Sequence, residues 1–455
     1  MTPYREEKDA MGTVQVPREA YYGAQTQRAV DNFPLSGLRL PPEFIRALAM
    51  IKQAAARTNA DLGLLPRDMA DAIARAAGEV IDGRLDDQFV VDVFQTGSGT
   101  STNMNMNEVL SSRANEILTG SKGGKAPVHP NDHVNLGQSS NDVIPTTIHV
   151  AAMIQLHERL RPALDGLQQV LEEKVLAFGD VRKIGRTHLQ DAVPMTLGDE
   201  FSGYARQIEL ARDRFSGLET RLAELALGGT AVGSGLNTHP EFAGRVIAAL
   251  NTATGLSFRE AANHYQAQAS QDTAVELSGA LKTLAVALVK IANDLRWLAS
   301  GPRCGLGEIA LPALQPGSSI MPGKVNPVIP EAVIQAAAQV MGNDTVIALS
   351  GQSGNFELNV MLPVTAYNLL QSLGLMAAAA GLLHRKCIAG ISANRERCAA
   401  NIEQSLALVT GLVPHIGYDR AAAVAQEAYQ TGRTIRDIAR DHDLLDEETL
   451  DQALR

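Results

Sequence analysis

The sequence is poor in cysteine, in aromatic residues and in basic charge. Its three cysteines, Cys304, Cys387 and Cys398, form neither a disulfide framework nor a pair with metal-ligand spacing, so we expect inert thiols in a reducing compartment. Aromatic residues make up only 4%, while Ala and Leu, both strong helix formers, are abundant, which predicts an all-α protein. A net charge of −10 argues against nucleic acid and anionic membranes as partners, because both select basic surfaces.

A targeting segment is not expected either. Residues 1–11 are polar and charged, which predicts no secretion or organelle signal and a cytoplasmic location. Residues 274–298 are apolar on nearly every predicted face but are interrupted by Lys282, Lys290, Asp294 and Arg296. This segment therefore contains no uncharged run of the ~20 residues that a membrane span needs.

Hydrophobic periodicity predicts long helices. The chain of 455 residues is too long for one ordinary core, and we expect an N-terminal helical domain (1–137), a central long-helix domain (138–391) and a small C-terminal helical domain (392–455). Because residues 274–298 are apolar on nearly every predicted face, we expect the central helices to bury against other chains. The predicted helices are 43–60, 66–81, 105–118, 141–178, 196–226, 270–299, 328–350 and 361–388.

Four polar segments interrupt this apolar background, each at or near the end of a predicted long helix: residues 96–101, 129–142, 185–190 and 317–327. They carry hydroxyls, amides, imidazoles and a lysine. A lyase acting on a planar dicarboxylate needs concentrated positive potential at the carboxylate beside the carbanion, and Lys324 with the Asn326 amide can supply it. Such chemistry requires no metal and no organic cofactor. A nucleotide-binding loop at residues 228–235 is not expected, since no predicted strand precedes it and no Gly-Lys-Ser/Thr follows.

The segment GSSIMPGKVNP (317–327) resembles the mobile signature loop of the fumarase/aspartase superfamily. Segments QTGSGTSTNMNMNE (95–108), HPNDHVN (129–135), QSSND (138–142) and GRTHLQDAVPMTLGDE (185–200) resemble its other blocks in the expected order. The resemblance runs from about Glu7 to the C-terminal region. It implies a three-domain all-α fold whose central five-helix bundle forms a twenty-helix homotetramer core, with each active site shared among three subunits.

The resemblance also implies roles for individual residues. Ser318 corresponds to the base that takes the C3 proton of malate. His188 corresponds to the acid-side residue, acting through a water, with Glu331 setting its protonation state, and Lys324 completes the catalytic set. The implied substrate contacts are Ser98, Gly99, Thr100, Ser139, Ser140, Asn141, Thr187, Ser319, Lys324, Val325 and Asn326. A second dicarboxylate site corresponds to His129, Pro130, Asn131 and Asp132.

Several details separate the superfamily's members. Gly323 and the segments 354–359 and 415–419 resemble the class II fumarase pattern more than that of the aspartases. This pattern implies a hydro-lyase (EC 4.2.1.2) of the tricarboxylic acid cycle that hydrates fumarate to (S)-malate by anti addition of water. Aspartate ammonia-lyase and a non-catalytic scaffold are the alternatives. One departure lies before the second site, where family members often carry an arginine and this chain has residues 125–127, Lys-Ala-Pro.

Overall fold

A computed structural model describes residues 4–454, and over this range the chain is predominantly helical. It contains 17 α-helices and ten short strands, and every sheet has two strands. The all-α prediction is confirmed. Short π-helical turns at Pro130–Val134, Leu156–Leu160 and Leu383–Cys387 adjoin or interrupt the helices.

The α-helices in chain order are α1 (Ala24–Asn32), α2 (Pro42–Asp61), α3 (Arg67–Ile81), α4 (Thr100–Thr119), α5 (Ser140–Gln155), α6 (Arg161–Ala177), α7 (Leu197–Leu222), α8 (Phe242–Thr254), α9 (His264–Ala269), α10 (Asp272–Leu298), α11 (Val328–Gly351), α12 (Leu362–Leu382), α13 (Arg395–Gln404), α14 (Val413–Ile416), α15 (Tyr418–Thr431), α16 (Ile435–Asp441) and α17 (Glu447–Ala453). The strands are β1 (Tyr4–Asp9), β2 (Gly12–Pro17), β3 (Arg182–Thr187), β4 (Gln190–Thr196), β5 (Glu224–Leu225), β6 (Arg259–Glu260), β7 (Ile309–Ala310), β8 (Gly354–Asn355), β9 (Leu358–Asn359) and β10 (Ser392–Ala393).

The predicted long helices are confirmed within a few residues, with three differences. The predicted helix 361–388 is α12, which ends at Leu382 and is followed by the π-helical turn Leu383–Cys387. The predicted helix 141–178 is α5 and α6 joined by the π-helical turn Leu156–Leu160. Helix α4 begins at Thr100 rather than at 105, because Gly99 adopts φ 73° and lets the chain enter the helix directly after the turn.

The chain divides into two compact units, each built from three stretches. Unit 1 comprises residues 1–162, 213–285 and 337–377, and unit 2 comprises residues 163–212, 286–336 and 378–455. The three-domain division stays a prediction.

In unit 1, α2 packs against α3, α5 and α8. Its inner face buries Phe44, Leu48, Ile51 and Ala55 completely. Lys52 lies on the same inner face and is equally buried. A lysine that is buried on an apolar helix face needs polar partners for its ammonium group.

In unit 2, β3 and β4 form an antiparallel hairpin whose register shifts between Ile184 and Arg186. Ile184 belongs to the core of the C-terminal helices, which also contains Ile402, Leu412 and Ile438. The hairpin is therefore fastened to the C-terminal helical region.

Helix α10 is less uniformly apolar than predicted. Leu277, Leu281, Leu284 and Leu288 are buried on one side. The other side exposes the charged residues Glu276, Lys282, Lys290 and Arg296 beside two large apolar ones, Val286 and Trp297. The expectation that nearly every face is apolar is thus wrong for part of the helix.

One segment of the described chain, Leu362–Gly390, is long and apolar enough to cross a membrane by length and composition, and 61% of its most apolar 18-residue stretch is buried inside the protein. Burial of this kind is typical of a core helix. The three cysteines are free, and Cys387 and Cys398 are buried while Cys304 is exposed.

Candidate active site

In unit 2, the Ser318 hydroxyl is hydrogen-bonded to the backbone of its own loop, residues 317–327. Ser318 Oγ accepts hydrogen bonds from the backbone N–H groups of Ile320 (3.2 Å) and Met321 (2.9 Å). Two donors on one hydroxyl oxygen stabilise negative charge there and therefore favour the alkoxide. Ser318 is half-buried, whereas Ser319 and Val325 are exposed.

The base of this loop is closed by hydrogen bonds. Gly317 N donates to Lys324 O at 2.7 Å, and Asn326 Nδ2 donates to Gly317 O at 2.7 Å. A Cβ at position 317 would lie 2.8 Å from both Asn326 N and Lys324 O, so only glycine fits. The Lys324 side chain is exposed. The closure holds the backbone at Lys324 and Asn326 close to Gly317, directly beside Ser318.

Thr187 and His188 lie at the tip of the β3–β4 hairpin and not at a helix end as predicted. His188 and Leu189 have φ values of 57° and 59°, which are typical of the two central residues of a tight hairpin turn. Both Thr187 and His188 are exposed. Within residues 4–454 no hydrogen bond joins the His188 side chain to another group.

A buried charge cluster supports this hairpin, and the sequence analysis missed it. Arg186 donates to Glu308 through both terminal nitrogens, at 3.0 and 2.6 Å, and Asn401 Nδ2 donates to the same carboxylate at 3.0 Å. Lys183 lies 3.5 Å from Glu308 and 3.0 Å from Glu200. Glu308 is completely buried. Burial raises the pKa of Glu308, but the Arg186 hydrogen bond and the nearby Lys183 charge outweigh it, and the pKa is lowered.

Glu331 lies in the first turn of α11, as predicted. The side chains of Glu331 and His188 share no hydrogen bond or ion pair within the described chain. Their pairing in catalysis therefore stays a prediction.

In unit 1, Ser98, Gly99 and Thr100 form the entry to α4. Ser98 Oγ and Thr100 Oγ1 are hydrogen-bonded at 2.8 Å. Gly97 packs so closely on Val360 that an added Cβ would lie 1.7 Å from the Val360 carbonyl oxygen. This close approach fixes the turn that presents the two hydroxyls at the positive end of the helix dipole.

Ser139, Ser140 and Asn141 form the entry to α5. Ser139 caps the helix: its hydroxyl accepts a hydrogen bond from Asn141 N, and its own N–H donates to Asp142 Oδ1 at 2.9 Å. Asn141 Nδ2 donates to Ala231 O at 2.8 Å. Two helix N-termini that carry hydroxyl groups are a suitable environment for a carboxylate, and they offset locally the repulsion expected from the net charge of −10.

The two helix entries are joined by a buried polar network. Asn103 Nδ2, in the first turn of α4, donates to Ser140 Oγ (3.0 Å) and to Asn135 Oδ1 (3.1 Å). Lys52 Nζ donates to Asn135 Oδ1 and to Gln138 Oε1, both at 2.9 Å. The sequence contained one signal for this network, namely that Lys52 occupies a position that the apolar pattern of its helix predicts to be in the core.

Asp142, completely buried, accepts further hydrogen bonds from Gly228 N and Thr230 N, each at 3.0 Å. Burial raises the pKa of Asp142, although these N–H donors and Lys52 oppose the shift. We expected no strand before the glycine-rich segment 228–235, but the two-residue strand β5 does precede it. The N–H groups of this segment bind the Asp142 carboxylate of the same unit.

His129, Pro130, Asn131 and Asp132 form a compact turn in unit 1. His129 Nδ1 accepts from Asn131 N and Asp132 N, both at 3.2 Å, and His129 N donates to His133 Nδ1 at 2.8 Å. Burial lowers the pKa of His129, although Asp132 opposes the shift. A ring nitrogen that accepts two N–H bonds leaves Nε2 as the outward-facing atom. Asn131 and Asp132 are exposed and His129 is half-buried, while Pro130 is buried.

Comparison with known proteins identifies the family. A family model described as "Lyase" matches residues 12–342, and one described as "Fumarase C C-terminus" matches residues 408–455. The class II fumarate hydratase of Nitrosomonas europaea is 56% identical over 439 residues, covering 96% of this chain and 95% of that protein. The mitochondrial fumarate hydratase of Rhizopus oryzae is 52% identical, covering 99% of this chain and 92% of that protein.

A solved structure agrees with these sequences. The class II fumarase of Schistosoma mansoni superposes with a TM-score of 0.96 at 42% identity, covering 100% of this chain and 98% of that one. Since both the family models and full-length relatives match, the chain belongs to the lyase family of class II fumarate hydratases.

Proposed function

We propose that this protein catalyses the reversible hydration of fumarate to (S)-malate, with Ser318 as the base. The observation that carries the proposal is the pair of backbone N–H groups on Ser318 Oγ, at 2.9 and 3.2 Å. A serine hydroxyl is a poor base, and donors to its oxygen lower the cost of forming the alkoxide.

In the dehydration direction, Ser318 Oγ takes the proton from C3 of malate. The electron pair of the broken C–H bond moves into the adjacent carboxylate and gives an enediolate-like dianion. Lys324 and the Asn326 amide stabilise the added negative charge, since fixed donors act most strongly where charge develops in the transition state. Closure of the loop base at Gly317 supports this role by holding both residues beside the serine.

His188 acts on the oxygen side of the reaction. Through a water it protonates the hydroxyl that leaves C2, while the electron pair returns from the enediolate and forms the double bond of fumarate. Glu331 favours the protonated imidazole that donates this proton. The exposed position of His188 at the tip of the hairpin supports a role in which it meets substrate, because within residues 4–454 no group is hydrogen-bonded to its ring.

The carboxylates of the substrate are bound by side chains and backbone N–H groups. The proposed contacts are Ser98, Gly99, Thr100, Ser139, Ser140, Asn141, Thr187, Ser319, Lys324, Val325 and Asn326. We further propose a homotetramer in which each site draws these groups from three subunits, and exposed Val286 and Trp297 on α10 support burial by other copies of the chain. His129, Pro130, Asn131 and Asp132 are proposed as a second dicarboxylate site.

The test is a spectrophotometric assay of the purified protein. Absorbance from the fumarate double bond should rise when malate is added and stay constant when aspartate is added. A rise with aspartate and none with malate would indicate an ammonia-lyase, and no change with either substrate would indicate a non-catalytic scaffold.

A further inference from the structure

We propose that Lys52, a residue outside the catalytic and substrate-binding sets, is a positioning residue that holds residues 135–141 in the conformation that binds a substrate carboxylate. This inference rests on the proposed function, because it concerns how Ser139, Ser140 and Asn141 are presented to the dicarboxylate.

The Lys52 ammonium contacts residues 135–141 at two places. Its Nζ donates at 2.9 Å to Asn135 Oδ1 and at 2.9 Å to Gln138 Oε1. Asn135 Nδ2 in turn donates to Gln138 O at 3.1 Å, and Gln138 Nε2 donates to Val134 O and Leu136 O, both at 3.2 Å. The turn that leads into Ser139 is therefore folded around one ammonium group.

The network continues from this turn to a substrate-binding hydroxyl. Asn135 Oδ1 accepts from Lys52, Asn103 and Asn107. The Asn103 amide that donates to Asn135 also donates to Ser140 Oγ at 3.0 Å. Displacement of Asn135 would thus change the orientation of Ser140, although Lys52 itself does not contact this serine.

Placing an amine here is costly for folding. Lys52 is completely buried among Leu48, Ile51 and Ala55, and burial lowers its pKa to about 7. An apolar side chain would pack on this face of α2 without the cost of desolvating an amine. What the amine adds is hydrogen bonds to two side-chain oxygens of one loop, which an apolar residue cannot make. From this geometry, Lys52 fixes the conformation of the loop and does not serve core packing.

The experiment compares Lys52→Met with the wild-type tetramer in steady-state kinetics. We expect the KM for malate to rise about 10-fold with kcat changed less than about 3-fold, because the loss of binding common to substrate and transition state raises KM alone. The matched control is Gln53→Met on the same helix, whose Nε2 donates instead to Ala74 O at 2.8 Å. This control should lower the melting temperature and leave KM unchanged.

An unchanged KM in folded Lys52→Met, or an equal rise in Gln53→Met, would overturn the proposal. If Lys52→Met does not fold, Gln138→Ala decides, since it removes one acceptor of the same ammonium from the loop side. A raised KM in Gln138→Ala supports the proposal, and an unchanged KM overturns it. Absence of malate turnover in the wild-type protein would instead refute the proposed function itself.

Discussion

Ser318 differs from the serines of hydrolases in what surrounds its hydroxyl. Its oxygen accepts two backbone N–H bonds, and no histidine or carboxylate side chain within residues 4–454 is hydrogen-bonded to it. In the proposed mechanism, activation of Ser318 then comes from stabilising the alkoxide and not from a neighbouring base. A carbon acid is also far weaker than an oxygen acid, so its base has to be held in direct contact with the substrate, whereas an oxygen-bound proton can be relayed by water.

This difference predicts unequal effects of two substitutions. Ser318→Ala should nearly abolish conversion of malate with the proposed tetramer intact, and His188→Asn should be severe but less complete, because a water partly replaces the imidazole. Exchange of the C3 proton of malate with deuterated water distinguishes the two roles. His188→Asn should retain more exchange, relative to its net dehydration, than Ser318→Ala. Free exchange by Ser318→Ala with none by His188→Asn would make the histidine the carbon base.

Lys324 provides a second prediction at this scale. Its side chain is exposed on the loop, so Lys324→Met should leave folding intact while turnover falls by about 10² to 10³, the effect of losing one donor of ~3 kcal/mol at the developing charge. Lys8→Met, which removes an exposed lysine from β1, is the control for net charge. Near-normal turnover in Lys324→Met would remove this lysine from the site.

At the scale of the element, the β3–β4 hairpin shows how a histidine is held at a turn. The register shift between Ile184 and Arg186 breaks the regular pairing one residue before Thr187, and Arg186 binds the buried Glu308. Asn401 of α13 binds the same carboxylate, so the C-terminal helices also brace the hairpin. A shift of this kind next to a functional side chain is a common way to direct that side chain.

Replacement of Glu308 tests this support. Glu308→Gln leaves the Arg186 guanidinium without its buried counter-charge and Lys183 with Glu200 alone, so we expect a loss of roughly 3 kcal/mol of stability at neutral pH. We also expect a fall of about 10-fold in kcat, as misplacement of His188 costs about 1.4 kcal/mol or more. Denaturant unfolding and steady-state kinetics measure the two effects. Unchanged values of both would show that the cluster does not support the hairpin.

The same carboxylate makes stability depend on acid. The pKa of Glu308 is lowered in the folded protein, so its contribution is present above its ordinary pKa of 4.5 and is lost as the pH falls through the folded value. Melting temperature should therefore decrease more steeply below pH 4.5 in the wild type than in Glu308→Gln. Parallel curves for the two proteins would contradict this assignment, since all other carboxylates are common to both.

At the scale of the whole molecule, the long helices leave apolar side chains uncovered. Val286 and Trp297 on α10 are 54% and 52% exposed, and Leu349 on α11 is 53% exposed. Large apolar side chains exposed along long helices are typical of surfaces that other chains cover. They are consistent with the proposed tetramer.

We expect a homotetramer with no folded, active monomer. Sedimentation or light scattering of the active protein should find no active species near 48.5 kDa. Val286→Lys places a charge on the uncovered side of α10 and should lower both the assembly state and the activity. Met11→Lys changes an apolar residue that is even more exposed and lies outside the long helices, and it should affect neither. An active species of monomer mass would contradict the prediction.

Local sequence determined the helices and much of the candidate site. Helix α2 follows its apolar spacing almost to the residue, and residues 317–327 were recognised from their order along the chain alone. The hairpin at residues 182–196 was not predicted, because Gly185 and the charged residues of β3 do not alternate in polarity as a half-buried strand does.

Tertiary structure alone decided which polar residues are buried and what they contact. Lysine is normally exposed, yet Lys52 is buried and binds Gln138, 86 residues further along the chain. Glu308 and Arg186 are separated by 122 residues and meet only when β3 packs beside the segment that contains Glu308. Periodicity reports which face of one helix is apolar, but a polar side chain is buried only where a distant segment supplies its partner, and that partner is fixed by the packing of the elements.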